Sequence, residues 1–138
     1  MELTLVLPPI LEAAKAFATL VPKLLSHRED RRKATAVYFE NIATTLADFS
    51  PKLHAGATDA ELSEFCGKLQ AFAEQLPHTV NHVVGREEIE ELSRMLKQSH
   101  KIERWILLND NPQKAHHLAR LSEAAGYFRA SAISLRAA

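Results

Sequence analysis

Leu118-Ala-Arg-Leu-Ser-Glu-Ala-Ala-Gly-Tyr-Phe-Arg-Ala-Ser-Ala-Ile-Ser-Leu135 carries the repeat that decides the fold. Leu118, Leu121, Ala125, Phe128, Ala132 and Leu135 recur at alternating steps of three and four, so a helix here places them on one stripe. An unbroken stripe of this kind requires a facing helix. Upstream, Asn109-Asp-Asn-Pro112 is a polar loop, with Asn111 as the N-cap and Pro112 as the first helical residue. Before it, Arg86 to about Leu107 repeats the pattern with Ile89, Leu92, Leu96, Ser99, Ile102 and Ile106. Glu87 and Glu88 complement the dipole at its start, and Gly85 reads as a stop or hinge between elements.

Two capping boxes punctuate the first half of the chain. Ser26 with Glu29 predicts a helix from about Arg28 to Phe49, with the stripe Ala34, Val37, Tyr38, Ile42, Thr45, Leu46 and Phe49. Ser50-Pro51 ends or kinks it, and Lys52–Ala57 with Gly56 reads as a turn. Thr58 with Glu61 opens a third helix carrying Leu62, Phe65, Cys66, Leu69, Phe72, Ala73 and Leu76. Pro77 breaks or bends that helix and starts a short continuation through Val84. No alternating run or Asn-Gly turn signals a strand. The sequence thus predicts an all-α, up-and-down bundle of four to five helices over residues 1–138. Short connections make successive helices antiparallel.

The N-terminal stretch Leu3–Leu25 has a very thin polar face. Glu12, Lys15, Thr19 and Lys23 form one narrow stripe, and the rest is apolar or proline. Such a helix is either central in a bundle or built to leave it for a membrane or partner. A secretory signal is not read here, because Glu2 stands where a basic segment belongs. Three charges and Pro8, Pro9 and Pro22 argue against a resident transmembrane span.

The composition is that of a globular chain, with 46% apolar and 25% charged residues and zero formal net charge. No global field attracts nucleic acid. Cys66 is the single cysteine, which rules out an internal disulfide and a multi-cysteine metal site and fits a cytoplasmic setting. On the apolar stripe, it reads as a small buried residue. His78 and His82, four apart, would share a helical face as zinc or haem ligands do. The bland reading makes them surface residues beside the Pro77 bend. There is no Glu-x-x-His, no Gly-rich phosphate loop and no nucleophile elbow, so a non-enzymatic protein without a cofactor is expected. His27, Arg28, Arg31, Arg32 and Lys33 follow directly on the apolar first helix, the order found in membrane-surface anchors.

Met1-Glu-Leu-Thr-Leu-Val-Leu-Pro-Pro-Ile-Leu-Glu-Ala-Ala-Lys-Ala-Phe17 resembles the first helix of N-terminal four-helix cell-death bundles. These are the HeLo domains of fungi, the coiled-coil heads of plant resistance proteins and their bacterial counterparts. Asp30-Arg-Arg-Lys-Ala-Thr-Ala-Val-Tyr-Phe-Glu-Asn-Ile-Ala-Thr-Thr-Leu46 and Leu69-Gln-Ala-Phe-Ala-Glu-Gln-Leu-Pro77 resemble helical modules of bacterial, notably cyanobacterial, defence proteins, fused there to NTPase, caspase-like or TIR effectors. The resemblance lies in helix and hydrophobicity patterns and implies a helical module that signals infection or kills the cell.

The expectation is therefore a signalling or cell-death domain of a bacterial defence-type protein, read as the N-terminal part of a larger chain. It would act by self-assembly and by membrane disruption through its N-terminal helix, moving to the membrane on activation. Leu3, Leu5, Leu7, Leu11 and Phe17 are the candidate membrane- or partner-facing residues. Arg28, Arg31, Arg32 and Lys33 are the candidate grip on an anionic surface. A second copy or another helical domain is the expected protein partner, and nucleic acid is not. Two alternatives stay open: a recruitment module without membrane activity, and a small metal- or ligand-binding bundle around His78 and His82.

Overall fold

The computed structural model describes residues 9–26, 28–56, 58–80, 85–108 and 114–137, and the side chains of all these but 9, 98–108, 114 and 117. The expectations for Leu3, Leu5, Leu7, His27, Val84, Asn111 and Pro112 fall outside the described residues. So do those for the side chains of Ser99, Ile102 and Ile106. Five helices follow one another: α1 (Pro9–Leu25), α2 (Glu29–His54), α3 (Asp59–Val80), α4 (Arg86–Leu108) and α5 (Lys114–Ala137). No strand occurs among the described residues. The all-α bundle expected from the sequence is what the chain forms.

The helices close into a ring in the spatial order α1, α5, α2, α3, α4, with α2 and α5 sharing the largest interface. The successive pairs α2/α3 and α3/α4 are neighbours, but α1/α2 and α4/α5 are not principal ones. A plain up-and-down walk around the bundle would have made every successive pair adjacent. The reason for the departure sits at the centre. Phe17 of α1, Phe39 of α2 and Phe128 of α5 are fully buried, with ring centroids 5.4, 5.6 and 6.0 Å apart. Aromatic rings at such spacings add about 0.5–1.5 kcal/mol per pair beyond area burial. This cluster draws α5 between α1 and α2, so those two meet across the core instead of side by side.

The α5 stripe is buried at all six expected positions, and Leu62, Phe65, Cys66, Leu69, Ala73 and Leu76 of α3 are buried as well. The α2 stripe is buried as expected at Tyr38, Ile42, Thr45, Leu46 and Phe49 and departs only at its first two positions. Ala34 and Val37 point outward, Val37 with 48% of its surface exposed, while Thr35, Ala36 and Phe39 turn inward. Tyr38 stays buried because its hydroxyl donates a 2.6 Å hydrogen bond to the Phe72 carbonyl. That burial pushes its phenol above the ordinary range.

Local punctuation was overruled at several points. Ser26 does not cap α2. It belongs to the last turn of α1, where its hydroxyl and its N–H both donate to the Lys23 carbonyl. Arg28 takes the cap position with an extended ψ of 149° and no side-chain cap bond. Glu29 pairs with Lys33 at 2.9 Å instead, and the ammonium holds its carboxyl below the usual range. Neither Pro51 nor Pro77 ends its helix. Pro22, Pro51 and Pro77 each lie in the last turns of a helix and are each followed, two or three residues on, by a buried apolar residue: Leu24, Leu53 and Val80. Anchoring those residues offsets the missing backbone donor. The α2 helix then stops at Gly56, whose φ of +92° suits glycine, and its N–H donates to Leu53 at 3.3 Å. Gly85 is the entry to α4, its carbonyl accepting from the Ile89 N–H at 3.0 Å.

The second capping box forms as predicted. The Thr58 N–H donates to Glu61 at 3.1 Å, and the Glu61 N–H donates to the Thr58 hydroxyl at 3.2 Å. These bonds to Thr58 hold the Glu61 carboxyl below its ordinary 4.5. A lowered folded-state pKa makes the contribution complete above the unfolded value and lost as pH falls through the folded one. Thr58→Ala is expected to cost about 0.5–2 kcal/mol in urea unfolding through the lost hydroxyl cap, whereas Glu61→Ala, which removes the titrating carboxyl, is expected to be more destabilising at pH 7 than at pH 3.

Candidate functional site

The first helix supplies one wall of a surface groove. Leu20 of α1 and Leu92 and Met95 of α4 floor an open groove of about 500 Å³, and Glu87, Glu88 and Glu91 stand along its rim. The α4 sequence makes this arrangement by spacing. Glu91 lies one turn after both Glu87 and Glu88, and Leu92 and Met95 continue that flank toward the C-terminus. Lys23 reaches across from α1 to Glu88 at 3.3 Å, and Arg94 pairs with Glu91 along α4. Glu87 enters no ion pair among the described residues. The run 87–91 is thus the solvated face expected around half-buried Ile89, but it also borders a groove. Sequence reasoning missed the groove because its two walls come from helices about 70 residues apart. A groove this open with a mixed lining is suited to a helix or peptide rather than a small molecule.

The candidate basic residues begin α2. Arg28, Arg31 and Lys33 are exposed, and Arg32 is half-buried with its Nε unpartnered. Lys33 is engaged by Glu29, and Arg28 and Arg31 are exposed guanidinium groups that form no ion pair among the described residues. Leu11 and Phe17 lie in the core, so a membrane- or partner-facing role for them requires α1 to leave the bundle. The arginines lie just past the C-terminal end of α1, roughly 24 Å from its start at Pro9 along a helix of this length.

His78 is exposed near the end of α3, and His82 falls outside the described residues. Among the described residues no group of three or more His, Cys, Asp or Glu side chains is placed to hold a metal. Cys66 is buried beside the α3 stripe. No described helix is long and apolar enough to cross a membrane. Against protein-family models, curated proteins and solved structures, the chain finds no match.

Proposed function

We propose that this chain is a non-enzymatic helical signalling module of the defence and cell-death type, acting by self-assembly with α1 in place. The observation that carries the reading is the commitment of α1 to the core. Ile10, Leu11, Phe17, Leu20 and Leu24 are all buried. Exposing them together would cost on the order of 10 kcal/mol, comparable to the roughly 5–15 kcal/mol that holds a whole domain folded. Release of α1 would thus take the rest of the bundle with it unless lipid or partner contacts replaced that burial. Assembly through surfaces already exposed carries no such cost. The signalling role itself rests on the resemblance of the Met1–Phe17, Asp30–Leu46 and Leu69–Pro77 stretches to helical death and defence modules.

Anionic liposomes separate assembly from membrane attack. Leu3, Leu5 and Leu7 are the right positions to vary, because they precede α1 in the sequence and are the candidate membrane-facing residues. The wild type is expected to self-associate without lipid and to leave dye-loaded vesicles intact. Leu→Ser at the three positions should change neither result. Vesicle leakage that depends on these leucines, from a chain that stays monomeric without lipid, would refute the assembly reading in favour of membrane disruption.

A further inference from the structure

The last helix carries a second stripe besides the one it buries. Ala119, Ser122, Gly126, Ala130, Ile133 and Ala137 recur at steps of three and four, and all are exposed. At 3.6 residues per turn they fall within roughly 80° of the α5 surface, and no charged residue interrupts them. The outward face of a bundle helix is ordinarily charged or polar. Ile133, with 61% of its surface exposed, is the most exposed large apolar residue among those described. Arg129 and Arg136, two turns apart, stand on one edge of this stripe, the edge toward α2, where Arg136 pairs with Glu40. Arg129 enters no ion pair among the described residues. The α1/α4 groove is the complement of this face. Its floor is Leu20, Leu92 and Met95, and carboxylates stand on its α4 rim.

We infer that the outer face of α5 from a second copy lies in the α1/α4 groove, its Ala130 and Ile133 on the apolar floor and its arginine edge against Glu87 and Glu91. This deepens the self-assembly reading and rests on it. The handedness of the α-helix fixes the direction. With the stripe facing down into the groove, the arginines lie to the right along α5, and the α4 rim is on that side only if the docked helix runs antiparallel to α4. Arg136 then falls near Glu87 and Arg129 near Glu91. The arginines are roughly 10 Å apart along their helix and the glutamates roughly 6 Å, a difference that long guanidinium side chains span. Gly126 and Ala130 come over Met95 and Leu92, where small side chains let the helix axes approach closely. Within one chain, α5 runs alongside α1 in the same direction, since Lys15 and Phe17 meet Tyr127 and Phe128 in order. The α4 helix runs against α1, because Lys23 meets Glu88 while Ala16 shares the groove with Met95. All copies therefore point the same way. The docking face and the groove are different surfaces of each chain, so the contact is head-to-tail and continues to a closed ring or a filament.

Three variants at exposed positions test it: Arg129→Glu, Glu91→Lys and Ala130→Trp. Circular dichroism should show the wild-type helix content for each. Sedimentation velocity of the wild type should show a concentration-dependent series beyond the dimer, weakened by salt. Arg129→Glu and Glu91→Lys should each need about tenfold higher concentration to assemble, because like charges then face each other. Ala130→Trp should block assembly outright, since the indole holds the helix off the floor. An equimolar mixture of Arg129→Glu with Glu91→Lys should assemble again in alternation, the reversed face of one meeting the reversed groove of the other. If the two charge variants are weakened but their mixture does not recover, the pairing of this face with this groove is wrong. If the wild type assembles and all three variants assemble equally well, this surface is wrong and self-assembly stands. If the wild type stays monomeric at the highest soluble concentration, the self-assembly reading fails and this inference with it.

Discussion

Phe17→Ala is expected to remove about 3–5 kcal/mol of stability, the largest loss from any single truncation in the bundle. The ring touches Phe39 and Phe128 at centroid distances of 5.4 and 5.6 Å and Tyr38 at 6.5 Å, so its removal leaves a hole where three helices meet. The surrounding side chains come from different helices and cannot close the hole without moving those helices. With total stability of about 5–15 kcal/mol for a domain, the variant should unfold at a much lower urea concentration, with little change in the slope of the transition. An exposed residue of the same helix, Thr19→Ala, is the comparison and should stay within about 0.5 kcal/mol of the wild type.

Leu11→Glu is expected to unfold the chain at neutral pH. Leu11 is 1% exposed and lies among apolar residues of the core, so a carboxylate there would lose its hydration. Burial raises the folded-state pKa of such a group above its unfolded value. Stability is then present below the unfolded pKa and lost as pH rises toward the folded one. Helix content by circular dichroism should thus be low at pH 7 and partly regained near pH 4. Leu11→Gln, which does not titrate, should be destabilised to a similar degree at both. For the same reason, Leu11 cannot report on membrane binding by substitution: its loss acts on the fold first.

The stripes with large side chains were the legible part of the sequence. Leu118, Leu121, Phe128 and Leu135 leave no second choice of face, and α5 buries them all. In α2 the sequence Ala34-Thr-Ala-Val37 supports two stripes equally well by spacing. What decides between them is Phe39, pulled inward by Phe17 and Phe128, and no local pattern contains that contact. The proline signals misled for a related reason. Pro51 and Pro77 act against the helix locally, but Leu53 and Val80 gain burial from other helices. The Ser26–Glu29 box failed because Ser26 closes α1, whereas Thr58 and Glu61 have no preceding helix turn competing for them. Of the candidate site, the arginines were visible as a cluster. The groove was not, because it exists only once α1 and α4 are side by side.

Amide hydrogen exchange on the assembled form tests most directly whether α1 stays in the bundle while the chain acts. The account predicts that Ile10–Leu24 are as protected in the assembly as in the monomer. Fast exchange throughout Ile10–Leu24 in the assembly, with α2, α3 and α5 still protected, would contradict it and show that α1 leaves the core to act.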